Sequence, residues 1–168
     1  NTFNNVSYMA VYVYYHSKSY IKGNTINLHN GTATTFYGIN ESNCWNGTRI
    51  LKNRIVGSTN SSTNTYGIYS YFPTGTSSDS GSVANNVVAI SQTSGTVYGL
   101  YSYQPQWSKV YYNSVNITGT ATVVYASYLY SSSATYSNNT AWNNIFVNRC
   151  TGANASAMYF YNAGQVGY

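Results

Sequence analysis

A short phrase, Tyr-Gly-Ile/Leu-Tyr-Ser-Tyr, recurs at a near-constant interval and limits what this chain can fold into. It stands at residues 66–71 and 98–103, with looser copies at 9–14 (MAVYVY), 37–42 (YGINES), 125–130 (YASYLY) and 156–161 (SAMYFY). The starts at 9, 37, 66, 98, 125 and 156 are separated by 28, 29, 32, 27 and 31 residues. A period of this size marks stacked structural repeats.

A second pattern keeps the same period. A small apolar residue, two residues, Asn, one residue and an apolar residue recur at 21–26 (IKGNTI), 50–55 (ILKNRI), 83–88 (VANNVV), 110–115 (VYYNSV) and 141–146 (AWNNIF). Its rungs are Asn24, Asn53, Asn86, Asn113 and Asn144, with a degenerate first copy centred on Asn5. Each Asn falls between two strand-like pieces. Asn tolerates a left-handed backbone and bonds locally, so it suits a sharp bend there. The ladder reads as a stack of turns rather than a ligand site.

After each Asn, apolar residues alternate, as in Ile26 and Leu28, Val88 and Ile90, Val115 and Ile117. Loops of variable length follow at 30–35, 58–65, 91–96, 118–122 and 151–155, with a longer insertion at 72–81. No stretch sustains a 3.6-residue period, so no sizeable helix is assigned. A strand pair this short cannot bury a face alone, but the same strand from successive coils can. The reading is therefore an all-β chain: residues 1–168 as a single right-handed parallel β-helix of about six coils, with 27–32 residues per coil. Neither end shows a capping helix, so both ends are expected to be uncapped, in a mature product or an excised segment.

Segments such as 20–26 (YIKGNTI), followed by Tyr37-Gly38-Ile39, resemble the repeats of right-handed parallel β-helix proteins. That class includes pectate-lyase-like enzymes and large secreted bacterial surface proteins. The resemblance spans about residues 1–162 and implies a fold, since this fold hosts many activities.

Alternation assigns faces. With Ile39, Ile68, Leu100, Met158, Val11 and Ser127 inward, two outward tyrosine columns follow. They hold Tyr12 and Tyr14, Tyr69 and Tyr71, Tyr101 and Tyr103, Tyr128 and Tyr130, and Tyr159 and Tyr161. Only the second coil interrupts them, with Asn40 and Ser42. The columns can stabilise the sheet, pack another subunit, or stack on sugar rings. Strict alternation would bury Glu41, and a lone buried carboxylate is costly. The second coil's strand is therefore expected to end or bulge at Asn40.

Charged residues are only 5% of the chain, against roughly 25% in ordinary soluble domains. The acids are Glu41 and Asp79, in different repeats. Polysaccharide chemistry on this fold needs clustered carboxylates as an acid/base pair or a calcium site. His16 and His29 fall at different corners, outside any metal motif, so no enzyme and no cofactor are expected. Cys44 and Cys150 lie four repeats apart, on the order of 19 Å along the axis. That separation exceeds the roughly 7 Å a disulfide allows.

The net charge of +5 comes from Lys18, Lys22, Arg49, Lys52, Arg54, Lys109 and Arg149, which align near one corner. That density is too low for nucleic acid. No run of 18 apolar residues predicts a membrane insertion. Eight Asn-x-Ser/Thr sequons begin at Asn5, Asn30, Asn40, Asn46, Asn60, Asn116, Asn138 and Asn154, and most fall in predicted loops. Glycans there would suit an extracellular or cell-surface setting. The function expected is a non-enzymatic structural protein that self-associates into an oligomer or filament; a carbohydrate-binding adhesin module is the alternative.

Overall fold

The computed structural model describes residues 1–29, 33–60, 63–152 and 154–162. Each coil contributes three strands. The first holds β1 (Thr2–Val6), β2 (Met9–Tyr14) and β3 (Tyr20–Lys22); the second β4 (Thr25–Leu28), β5 (Thr35–Ser42) and β6 (Arg49–Leu51). The third holds β7 (Arg54–Thr59), β8 (Asn64–Tyr71) and β9 (Gly81–Ala84). The fourth holds β10 (Val87–Gln92), β11 (Thr96–Tyr103) and β12 (Ser108–Tyr111). The fifth holds β13 (Ser114–Gly119), β14 (Val123–Ser131) and β15 (Thr140–Trp142), and β16 (Ile145–Cys150) and β17 (Asn154–Asn162) begin a sixth.

Equivalent strands stack into three parallel sheets, β1-β4-β7-β10-β13-β16, β2-β5-β8-β11-β14-β17 and β3-β6-β9-β12-β15. The chain is an all-β parallel solenoid, consistent with a right-handed β-helix. Where the repeat count predicts about six coils, the described residues complete about five turns. Vertical registry is strict: Val88 pairs with Ile55 and Val115, and Leu100 with Ile68 and Ser127. The interior is filled by Ile26, Ile39, Ile55, Ile68, Val88, Ile90, Val97 and Ile117, all at most 1% exposed.

The corner between the third sheet and the first is closed by the asparagine ladder. The main-chain amide of each rung donates to the carboxamide oxygen of the next: Asn24 to Asn53 at 3.0 Å, Asn53 to Asn86 at 2.9 Å, Asn86 to Asn113 and Asn113 to Asn144 at 3.0 Å. Each Nδ2 donates to the same oxygen, at 2.9 to 3.0 Å. From Asn53 onward it also reaches a carbonyl of the preceding coil, Ile21, Ile50, Val83 or Val110.

The bend differs from expectation in two ways. The left-handed residue is the one before each Asn: Gly23, Lys52, Asn85, Tyr112 and Asn143, with φ from 51° to 69°. The Asn itself is the buried bonding group, because a side chain aimed inward can reach its copies above and below. The first rung is Asn1, whose Nδ2 donates to Asn24 Oδ1 at 3.1 Å. Asn5 lies instead where β1 shifts register against β4, with φ of 55°.

β5 neither ends nor bulges at Asn40. It continues to Ser42, with Glu41 paired to Val13 and Ser70 and only 1% exposed. Burial raises the Glu41 carboxyl to about 7, with the nearby Ser70 and Cys44 side chains opposing part of the rise, while its Oε1 has no hydrogen-bond partner among the described residues. A protonated carboxyl escapes most of the cost of burying a charge, which is why the strand tolerates it.

Candidate packing and binding face

Tyrosines pave the outer surface of the second sheet, in three columns rather than two. One runs through Tyr69, Tyr101, Tyr128 and Tyr159, with centroids 4.7 to 5.1 Å apart and planes within 7°. Another runs through Tyr71, Tyr103, Tyr130 and Tyr161, at 5.0 to 5.3 Å. The third, which alternation does not reveal, runs through Tyr37, Tyr66, Tyr98 and Tyr125, at 4.9 to 5.4 Å. Its rings meet the neighbouring column edge to face, as Tyr98 meets Tyr101 at 5.0 Å and 79°.

The extra column comes from the glycine of the repeat. In β11 both Gly99 and Leu100 are buried, so alternation skips one residue and Tyr98 and Tyr101 share a face. The strand kinks inward where Gly38, Gly67, Gly99 and Ala126 stand above one another. A Cβ on Gly67 would come within 2.5 Å of the Gly99 carbonyl and 2.6 Å of Val88 Cγ1. The signal for the third column is thus the small residue, Gly38, Gly67, Gly99 or Ala126, that follows the first tyrosine of the four copies from 37 to 125.

The expected outward tyrosines fall where alternation puts them. Tyr12 and Tyr14 are 55% and 48% exposed; the ladder residues Tyr69, Tyr71, Tyr101, Tyr103, Tyr128 and Tyr130 are half-buried by their neighbours. Met158 pairs with Ser127 as expected but is 44% exposed, since β17 is the last strand of its sheet among the described residues. Burial, and then neighbouring phenols, raise the hydroxyls of Tyr66 and Tyr101, and bring Tyr69 and Tyr128 to about 12. The face is uncharged across the ordinary pH range.

The charged residues are scattered. Asp79 is held by Arg49 at 2.9 Å and Lys18 at 3.3 Å. Lys22, Lys52 and Arg54 share the asparagine corner, but Arg149 lies at the far end of its strand in register with Thr118, so the seven cations form no single stripe. The described residues contain no group of three His, Cys, Asp or Glu able to hold a metal. Cys44 and Cys150 are free thiols. Burial pushes Cys44 up to about 11, away from the reactive thiolate.

Of the sequon asparagines, Asn40 is buried in β5 and accepts from Ser42 Oγ at 2.7 Å, so its carboxamide is not accessible for glycan attachment on the folded strand. Asn5, Asn116 and Asn154 lie exposed on β1, β13 and β17 rather than in loops. Asn138 and Asn60 are exposed outside strands, and half-buried Asn46 donates to Ser17 at 3.1 Å. Asn30 lies outside the described residues. No helix among the described residues is long and apolar enough to cross a membrane.

Comparison with protein-family models, with curated proteins and with solved structures finds no match to this chain.

Proposed function

We propose that this chain is a non-enzymatic structural segment of an extracellular surface fibre or appendage, packed side by side through its tyrosine face. The observation that carries this is the three-column array of uncharged rings, complete across β8, β11 and β14. A contiguous aromatic surface of that kind is characteristic of protein interfaces. Parallel edge strands add a second, end-to-end route: β2 and β17 bound their sheet among the described residues. A further coil, of this chain or another copy, extends such a stack, and head-to-tail contacts of that type build open filaments. Glu41 is buried in the interior and Asp79 is held in ion pairs, which supports a role other than glycan hydrolysis. On this reading the protein belongs with the secreted bacterial surface proteins that its repeats resemble.

Negative-stain electron microscopy and sedimentation of the purified chain at micromolar concentration test the proposal. Fibres or lateral oligomers are expected, and Tyr101→Ser with Tyr103→Ser is expected to dissolve the lateral contacts. A stable monomer at all concentrations overturns it.

A second reading follows from the same rings. Tyrosine faces also stack on sugars, and an adhesin module would grip carbohydrate through Tyr101 and Tyr103. Tyr101→Ala with Tyr103→Ala would then abolish glycan retention while leaving assembly intact.

A further inference from the structure

One coil lacks two of its outer tyrosines, and the surroundings of that gap are those of a binding site. Asn40 and Ser42 of β5 stand in register between Tyr12 and Tyr14 of β2 and Tyr69 and Tyr71 of β8. Two strand spacings, about 10 Å, therefore separate the tyrosine pairs. Elsewhere the rings stack at about 5 Å, so the interval corresponds to one missing layer of the array. Within each bounding pair the rings lie side by side, 5.8 Å and 19° for Tyr12 and Tyr14, 5.9 Å and 6° for Tyr69 and Tyr71. The layer that would continue the array is two flat rings, edge to edge.

The floor supplies polar contacts without charge. Asn40 Oδ1 accepts from Ser42 Oγ, while Asn40 Nδ2 makes no hydrogen bond to the described residues. Asn40 and Ser42 are only 7% and 8% exposed, so the floor is covered in this structure and a ligand has to displace a bounding side chain to reach it. Tyr12 and Tyr14 form the more exposed wall, and side-chain rotation on the nanosecond scale opens it.

We propose that Tyr12, Tyr14, Asn40, Ser42, Tyr69 and Tyr71 form a binding site for a neutral, flat glycan. The ligand class is a β-1,4-linked pyranose chain seated edge-on, with two consecutive sugars between the tyrosine pairs. The C–H faces of the sugars lie against the rings, and Asn40 Nδ2 donates to a hydroxyl or ring oxygen. The spacing within each tyrosine pair is close to the length of one such sugar. None of the six side chains is charged, which matches a neutral sugar rather than a uronate or a phosphate. The site is independent of the fibre reading, and it differs from the adhesin reading in lying at the break in the columns, away from Tyr101 and Tyr103.

Calorimetric titration of the whole chain with cellohexaose and with chitohexaose tests it. Binding of at least one is expected at millimolar or lower concentration. The variant N40Y/S42Y completes the columns, so it is expected to keep or raise Tm while losing affinity by about tenfold or more. Should that variant misfold by circular dichroism, Tyr12→Ser with Tyr14→Ser replaces it, with the same loss expected. Three results overturn the site: no binding of either sugar, undiminished binding by N40Y/S42Y, or binding abolished only by Tyr101→Ala with Tyr103→Ala. An N40Y/S42Y chain that binds no less sugar but no longer self-associates would assign the gap to a second copy, and also overturns it.

Discussion

The carboxamide oxygen of Asn86 accepts twice from Asn53, from the main-chain amide at 2.9 Å and from Nδ2 at 3.0 Å. Each rung thereby fixes the one below it, and every dipole in the row points the same way. Such chains strengthen cooperatively in a buried setting. Asn86→Ala leaves two donors on Asn53 and the Ile50 carbonyl without partners. Buried unsatisfied groups cost about 1 to 3 kcal/mol each, so a loss of about 3 kcal/mol or more is expected by urea denaturation. Asn144, the most exposed rung from Asn24 onward, should cost less when cut.

Asn86→Asp separates hydrogen bonding from shape. A carboxylate still accepts from Asn53, but it sets negative oxygens against Asn113 Oδ1 and the Ile50 carbonyl. This variant should be less stable at pH 8 than at pH 4, where a protonated carboxyl restores one donor. Thermal melts at the two pH values measure the difference.

Gly67→Ala is expected to destabilise by about 2 kcal/mol or more, in the range of overpacked cores. Its Cβ would collide with the Gly99 carbonyl and Val88, which belong to neighbouring rungs and cannot both retreat. Ala126→Gly, in the same column, should cost about 1 kcal/mol or less. Equal effects at the two positions would show that the kink does not depend on close approach.

Glu41 links stability to pH. Its folded pKa of about 7 lies above the ordinary 4.5, so its contribution is full below pH 4.5. It declines between 4.5 and about 7 and is lost above. The shift corresponds to about 3 kcal/mol. Glu41→Gln should flatten the stability profile across that window and raise Tm at pH 8; an unchanged slope between pH 4.5 and 8 would count against a buried carboxyl.

The tyrosine face gives an alkaline signature. Burial raises the folded-state pKa of Tyr66, Tyr69, Tyr101 and Tyr128. Their contribution is complete below the ordinary phenol value near 10 and fades as pH rises through the higher folded values. Ultraviolet titration should show a class of phenols ionising late, and that class should vanish in denaturant.

Periodicity alone carried this chain to a stacked β-solenoid. The repeat of Asn24, Asn53, Asn86, Asn113 and Asn144, and that of the paired tyrosines, can be read in one dimension because each coil repeats one local pattern. Three features required coordinates, and all depend on what lies one coil away, some 30 residues off in the chain. The left-handed bend belongs to the residue before each Asn, since inward reach to the next rung selects which side chain is buried. Tyr66 and Tyr98 turn outward because Gly67 and Gly99 let the strand sink toward Val88 and Val115. Glu41 stays within its strand because the layers above and below hold it in a dry interior where its carboxyl can keep the proton. Local sequence sets the period; burial and protonation are set by neighbours that only the winding brings together.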